Sequence, residues 1–116
     1  MMTVLNHLLA SLVEECCEVG QRTTKAQRFG ILETQPGKSL NNAARIDLEM
    51  SDLVAVHTML VGMGALRGVN MRAMEAKRRK VLKYLRHAHN EGQISDPSSI
   101  VILARKLGIT DEDAED

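Results

Sequence analysis

Aromatic side chains are nearly missing from this sequence, which has one Phe, one Tyr and no Trp in 116 residues. Its core must therefore be filled by Leu, Val, Ile, Met and Ala. These suit helix-on-helix packing better than a sheet, because β-branched and aromatic residues favour strands. So thin a supply of bulky groups also implies that some apolar helix surface is buried against another copy of the chain. Net charge is missing too: 15 basic and 15 acidic residues balance, which argues against a general nucleic-acid binder. There is no CxxC pair and no His/Cys set at zinc spacing. No run approaches the roughly 18 apolar residues of a membrane span. No signal peptide is read at the start, and the expected compartment is the cytoplasm. The only cysteines, Cys16 and Cys17, are neighbours on a predicted helix. They point about 100° apart and should not bridge. They are expected to be reduced, small core residues, in keeping with a reducing compartment.

The charge that is present is unevenly placed. Residues 67–89 hold eight Arg or Lys against one acid, Glu75, whereas Asp111 to Asp116 is almost wholly acidic. By length the chain is one domain with a modest core. The expected organisation is a helical domain over 1–92, a short C-terminal helix over 93–108 and an acidic, disordered tail over 109–116.

Periodicity predicts four helices. Leu5, Leu8, Leu9, Leu12, Cys16 and Val19 form an apolar stripe over residues 3–24, and the helix is expected to stop near Thr23 and Thr24. Residues 25–39 read as a connection punctuated by Gly30 and Pro36-Gly37, of a length often tied to function. Ser39, Asn41 or Asn42 is the expected cap of the second helix. That helix, 40–63, carries Ile46, Met50, Leu53, His57, Leu60 and Val61 on one broad face. His57 is read there as a core histidine. Leu48, Met59 and Met63 lie outside the face, so the helix is apolar almost all round. The third helix, 70–89, is expected to turn Ala73, Met74, Val81, Tyr84, Leu85 and Ala88 inward. Arg72, Arg79, Lys83 and Arg86 face away, while Lys77 projects between Tyr84 and Ala88. Ser95-Asp96-Pro97 predicts a last helix capped by Asp96, with Pro97 at its first position and Gly108 at its end. The expected fold is thus an all-α bundle of about four helices, its core completed by dimerisation or tetramerisation.

Two pairs of acids break this apolar pattern. Glu49 projects between Val56 and Leu60, and Asp52 between Met59 and Met63. Glu14, Glu15 and Glu18 flank the stripe of the first helix, with Glu15 nearly in line with Leu8 and Val19. A spacing of i, i+3 puts both members of a pair on one helix face. The 25–39 connection can turn the first two helices antiparallel, so that four carboxylates converge. An unpaired buried carboxylate is costly, and its usual remedies are a shifted pKa, a cationic partner or a metal. Ligands that are all oxygen suit Mg²⁺ or Mn²⁺ rather than zinc. Mg²⁺ is commonly shared with substrate phosphates, which makes a phosphate ester or anhydride the natural substrate class. A di-iron carboxylate bundle needs Glu-x-x-His pairs, and the sequence has none.

Leu12-Val-Glu-Glu-Cys-Cys-Glu-Val19, then Asp47-Leu-Glu-Met-Ser-Asp-Leu53, then a lysine-bearing helix, resembles the MazG-like all-α nucleoside triphosphate pyrophosphohydrolases over residues 5–85. The resemblance implies Mg²⁺-dependent cleavage of a nucleoside triphosphate to monophosphate and pyrophosphate. It implies Glu15, Glu18, Glu49 and Asp52 as metal ligands and Lys77 as the phosphate-binding lysine of the third helix. Lys80-Val81 stands where many members carry Asn, a departure on the substrate side. Glu15 or Glu18, if free of the metal, is the expected general base. Lys25 and Arg45 are secondary candidates for substrate contact, with Arg28 weaker still.

The expected partners are therefore a nucleoside triphosphate and further copies of the chain, with neither membrane nor nucleic acid. Two alternatives stand beside this reading. One is a non-enzymatic helical module that binds nucleic acid through residues 67–86. The other is a degenerate family member that keeps the fold as a scaffold.

Overall fold

A computed structural model describes residues 1–110. Among them the structure is all-α, with four helices and no sheet. No helix of the described residues is long and apolar enough to cross a membrane. The chain divides into two compact units, Met1–Gly68 and a second that begins at Val69.

The first unit is a helical hairpin of α1 (Val4–Phe29) and α2 (Asn42–Gly62). Thr3 caps α1 by accepting from the Asn6 amide at 3.0 Å. The helix runs past the stop expected at Thr23 and Thr24. Both hydroxyls donate back into it, Thr23 to the Val19 carbonyl at 2.8 Å and Thr24 to the Gly20 carbonyl at 2.9 Å. Threonine competes for backbone groups in this way without breaking a helix whose other face is packed. Termination comes at Gly30, whose φ of 106° suits a residue without a Cβ.

Residues 30–41 are tied to the start of α2. Asn41 is the cap, accepting from the Ala44 amide at 2.9 Å. Asn42 is the one buried polar residue among those described. Its Nδ2 donates to the Gly30 carbonyl and to Glu33 Oε2, each at 2.8 Å. Backbone bonds from Asn42 to the Glu33 carbonyl and from Ala43 to the Ile31 carbonyl, both 2.9 Å, complete the closure. Gly30 thus meets Asn42, while farther along α1 Arg22 and Glu15 meet Glu49. The two helices are therefore antiparallel.

Little of the hairpin is fully buried. Leu60 is, and Ile46, Leu53, His57 and Val61 of the expected face are half-buried, but Met50 is exposed. Cys16 and Cys17 are both exposed free thiols, against the expectation of core positions. A hairpin of two helices buries one line of contact, and α1 has no fully buried residue.

In the second unit α3 (Met71–Asn90) packs on α4 (Ser98–Leu107). Asn70 caps α3 through the Ala73 amide at 2.9 Å. The core is Leu82, Ile100, Ala104 and Ile109, with Leu85 and Ile94 against it. The inner face of α3 differs from the expected one. Leu82 is 1% exposed, whereas Val81 and Tyr84 are 41% and 59% exposed. Apolar residues lie on two arcs of this helix, and the position of α4, which periodicity does not contain, selects the arc.

Asp96 does not cap α4 through its side chain. Pro97 stands at the cap with helical φ and ψ, and the first turn closes on backbone carbonyls, Ser99 to Asp96 at 3.0 Å and Ile100 to Pro97 at 3.1 Å. Gly108, at φ 68°, ends the helix in the left-handed conformation. The next amide, Ile109, bonds back to the Ala104 carbonyl at 2.9 Å. This reversal folds Ile109 into the core at 4% exposure. Ile109 therefore belongs to the fold rather than to the tail where it was expected. The rest of that tail, 111–116, lies outside the described residues.

Candidate functional site

The antiparallel packing of α1 on α2 sets Glu15 against Glu49 and Asp52. One carboxylate oxygen from each of the three lies within 4.8 Å of the others. Glu15 and Glu49 are half-buried and Asp52 is exposed. Asp52 thus sits at the rim rather than in the apolar interior its sequence position suggested. The acids open on a groove of about 450 Å³ lined by Val13, Cys17 and the acids Glu14, Glu15, Glu18, Glu49 and Asp52. Glu18 is exposed on this lining and stands outside the close group of three.

The crowding has an electrostatic consequence. Lost hydration raises the pKa of Glu15 above the usual carboxylate value, and the charges of Asp52, Glu49, Glu18 and Glu14 raise it further. Each of these terms disfavours the ionised form.

The donor set fits a hard divalent cation. It consists of carboxylate oxygens on two rigid helices.

The sequence reading missed Arg22. It lies on α1 one turn beyond Glu18, and its Nε is 3.8 Å from Glu49 Oε1. The signal was available, since Glu15, Glu18 and Arg22 recur at i, i+3 and i+7 on one helix face.

The expected substrate-contact residues are scattered. Lys25 is half-buried, one turn beyond Arg22 on α1. Arg45 Nη1 donates to Gln35 Oε1 at 2.8 Å and so fastens the 30–41 connection. Arg28 lies over the Phe29 ring, 5.2 Å from its centroid. Lys77 belongs to the second unit. It is exposed there and borders an open groove of about 480 Å³ with Val69, Asn70, Ala73, Met74 and Arg78. His57 is half-buried on α2, as a core histidine would be.

No family model, no curated protein and no solved structure matches the chain.

Proposed function

We propose that this chain is a Mg²⁺-dependent nucleoside triphosphate pyrophosphohydrolase of the MazG-like all-α type, with Mn²⁺ as an alternative metal. One observation carries the reading: Glu15, Glu49 and Asp52, from two different helices, bring carboxylate oxygens within 4.8 Å of one another. Three acids brought this close repel one another, and a divalent cation is the simplest remedy that is also chemically useful. Glu15, Glu49 and Asp52 are the proposed ligands, with Glu18 completing the set from the groove lining.

The bound cation supplies positive charge to the polyphosphate and makes a water molecule more acidic. The chain's own residues do the rest. Glu15, if left free of the metal, is one candidate to take a proton from the attacking water. Glu18, exposed on the groove, is the other candidate for that role. Lys77 is the proposed contact for phosphate, with Lys25 and Arg45 as secondary contacts. Arg45 would have to give up its hydrogen bond to Gln35 to serve.

The reading includes a homodimer or homotetramer. Leu48, Met59 and Met63, outside the main face of α2, are 55%, 57% and 46% exposed, and monomers rarely leave large apolar patches exposed. It also places the protein in the cytoplasm, where nucleotides are found and where two free thiols stay reduced.

A second reading has its own support. Arg72, Lys77, Lys80 and Lys83 are all exposed on α3, and such a basic face suits a nucleic-acid backbone. Salt separates the two, since nucleic-acid binding weakens steeply as salt rises. The direct test of the preferred reading is a screen of common ribo- and deoxyribonucleoside triphosphates with Mg²⁺. Release of pyrophosphate with the matching monophosphate is expected. Phosphate release, or no turnover with any nucleotide, would contradict the reading.

A further inference from the structure

Arg22 is the one cation that forms an ion pair with the acidic group among the described residues. Its side chain is 17% exposed and that of Glu49 is 19% exposed. Their separation of 3.8 Å is within ion-pair reach but too long for a hydrogen bond. Nε and Nη1 of Arg22 are buried and have no acceptor at all. A guanidinium does not shed its proton in a protein. Buried N–H groups without acceptors are costly, so a favourable electrostatic term must hold this side chain where it is. That term is the field of the acids. Glu49 is common to the two contacts: it lies within ion-pair reach of Arg22, and one of its oxygens lies within 4.8 Å of those of Glu15 and Asp52.

We infer that Arg22 is the positioning residue of the acidic centre. It is the internal counter-cation of Glu49, holding that carboxylate beside Glu15 and Asp52 in the metal-free protein and yielding it when a divalent cation binds. The counter-cation role stands on the geometry alone, whereas the yielding rests on the metal reading above. Arg22 touches neither substrate nor metal in this account. It acts through Glu49. Arginine suits the task because its charge is permanent and its hold on Glu49, without a hydrogen bond, is loose enough to give way.

The two parts are tested separately. In metal-free buffer, thermal melts of wild type, Arg22→Gln, Glu49→Gln and the double variant form a double-mutant cycle. Arg22→Gln should lower the melting temperature by several degrees in wild type and change it little in the Glu49→Gln background. Arg22→Lys, which keeps the charge, should recover part of the loss. An equal loss in both backgrounds, or no recovery with Lys, would overturn the counter-cation role.

Mg²⁺ titration by calorimetry then addresses the yielding. Removing a nearby positive charge should tighten Mg²⁺ binding by about threefold or more, and the melting gap between Arg22→Gln and wild type should narrow at saturating Mg²⁺. Unchanged or weaker binding, with a constant gap, would overturn the competition between Arg22 and the cation. A wild type indifferent to Mg²⁺ would instead overturn the metal reading, and the double-mutant cycle would still decide the counter-cation role.

Discussion

The side chain of Asn42 reaches back across the 30–41 connection and donates to the carbonyl of Gly30 at 2.8 Å. This bond joins the residue that ends α1 to the first residue of α2. It thereby sets the register in which Glu15 meets Glu49 and Asp52. The same Nδ2 also holds Glu33 Oε2 at 2.8 Å, and Asn42 is only 2% exposed. Asn42→Ala would leave both acceptors short of a partner, at a cost of about 1–3 kcal/mol. Urea denaturation should show that loss. A change within a few tenths of a kcal/mol would mean that the turn does not fix the hairpin.

Glu15 makes stability depend on pH in an unusual direction. Lost hydration first, and then the charges of Asp52, Glu49, Glu18 and Glu14, raise its pKa in the folded protein. The folded state therefore keeps this proton at a pH where the unfolded chain has lost it. Its stabilising contribution is fully present below the unfolded carboxylate value and is lost as pH rises through the folded one. In metal-free buffer at neutral pH, Glu15→Gln should raise the melting temperature. At about pH 2.5, well below the ordinary carboxylate values, the two proteins should melt together. A Gln variant that is less stable at neutral pH would contradict the repulsion.

The apolar surface of the hairpin bears on assembly. Leu48 and Met59 are both more than half exposed, and at 11 residues apart they return to one line along α2. Sedimentation at micromolar concentration should give a dimer or larger, and Leu48→Glu with Met59→Glu should shift it toward monomer. A wild type that sediments as a clean monomer would contradict the proposed oligomer.

Lys77 and Lys83 share α3 and are both exposed, yet only Lys77 is assigned to phosphate. Lys77→Ala should lower turnover or substrate binding more than tenfold, with helicity by circular dichroism unchanged. Lys83→Ala should change neither. Equal, mild effects would mean that Lys77 is one more solvated charge.

Much of the fold was legible because apolar periodicity and Gly or Asn punctuation act locally. The four helices, Asn41 among the three candidate caps of α2 and Gly108 as terminator all follow from short-range pattern. Features set by neighbours distant in sequence were not legible. Thr23 and Thr24 look like a stop until their hydroxyls are seen to bond back into α1. Leu82 replaces Val81 and Tyr84 as the inner residue of α3 because α4 lies on that side. Ile109 follows a helix-ending glycine and precedes an acidic run, so only the backbone reversal at Gly108 reveals that it packs inward. In the candidate site, the i, i+3 spacing of the acids pointed to Glu15, Glu18, Glu49 and Asp52, of which Glu18 stands outside the close group of three. Arg22 was overlooked although it recurs one turn beyond Glu18 on the same face of α1, because only the packing of α2 shows that Glu49 lies beside it.

The central claim is that Glu15, Glu49 and Asp52 form a metal site, and Asp52→Asn tests it most directly. The substitution keeps the shape of the side chain and removes one charge at the exposed rim. Thermal melts of both proteins with and without millimolar Mg²⁺ or Mn²⁺ should be paired with a pyrophosphate assay on nucleoside triphosphates. Wild type should be stabilised by the metal, because a ligand that binds only the folded state shifts stability by mass action. Asp52→Asn should stay folded without metal, lose most of that stabilisation and release no pyrophosphate. Melting indifferent to metal in wild type, together with undiminished hydrolysis in the variant, would contradict the account.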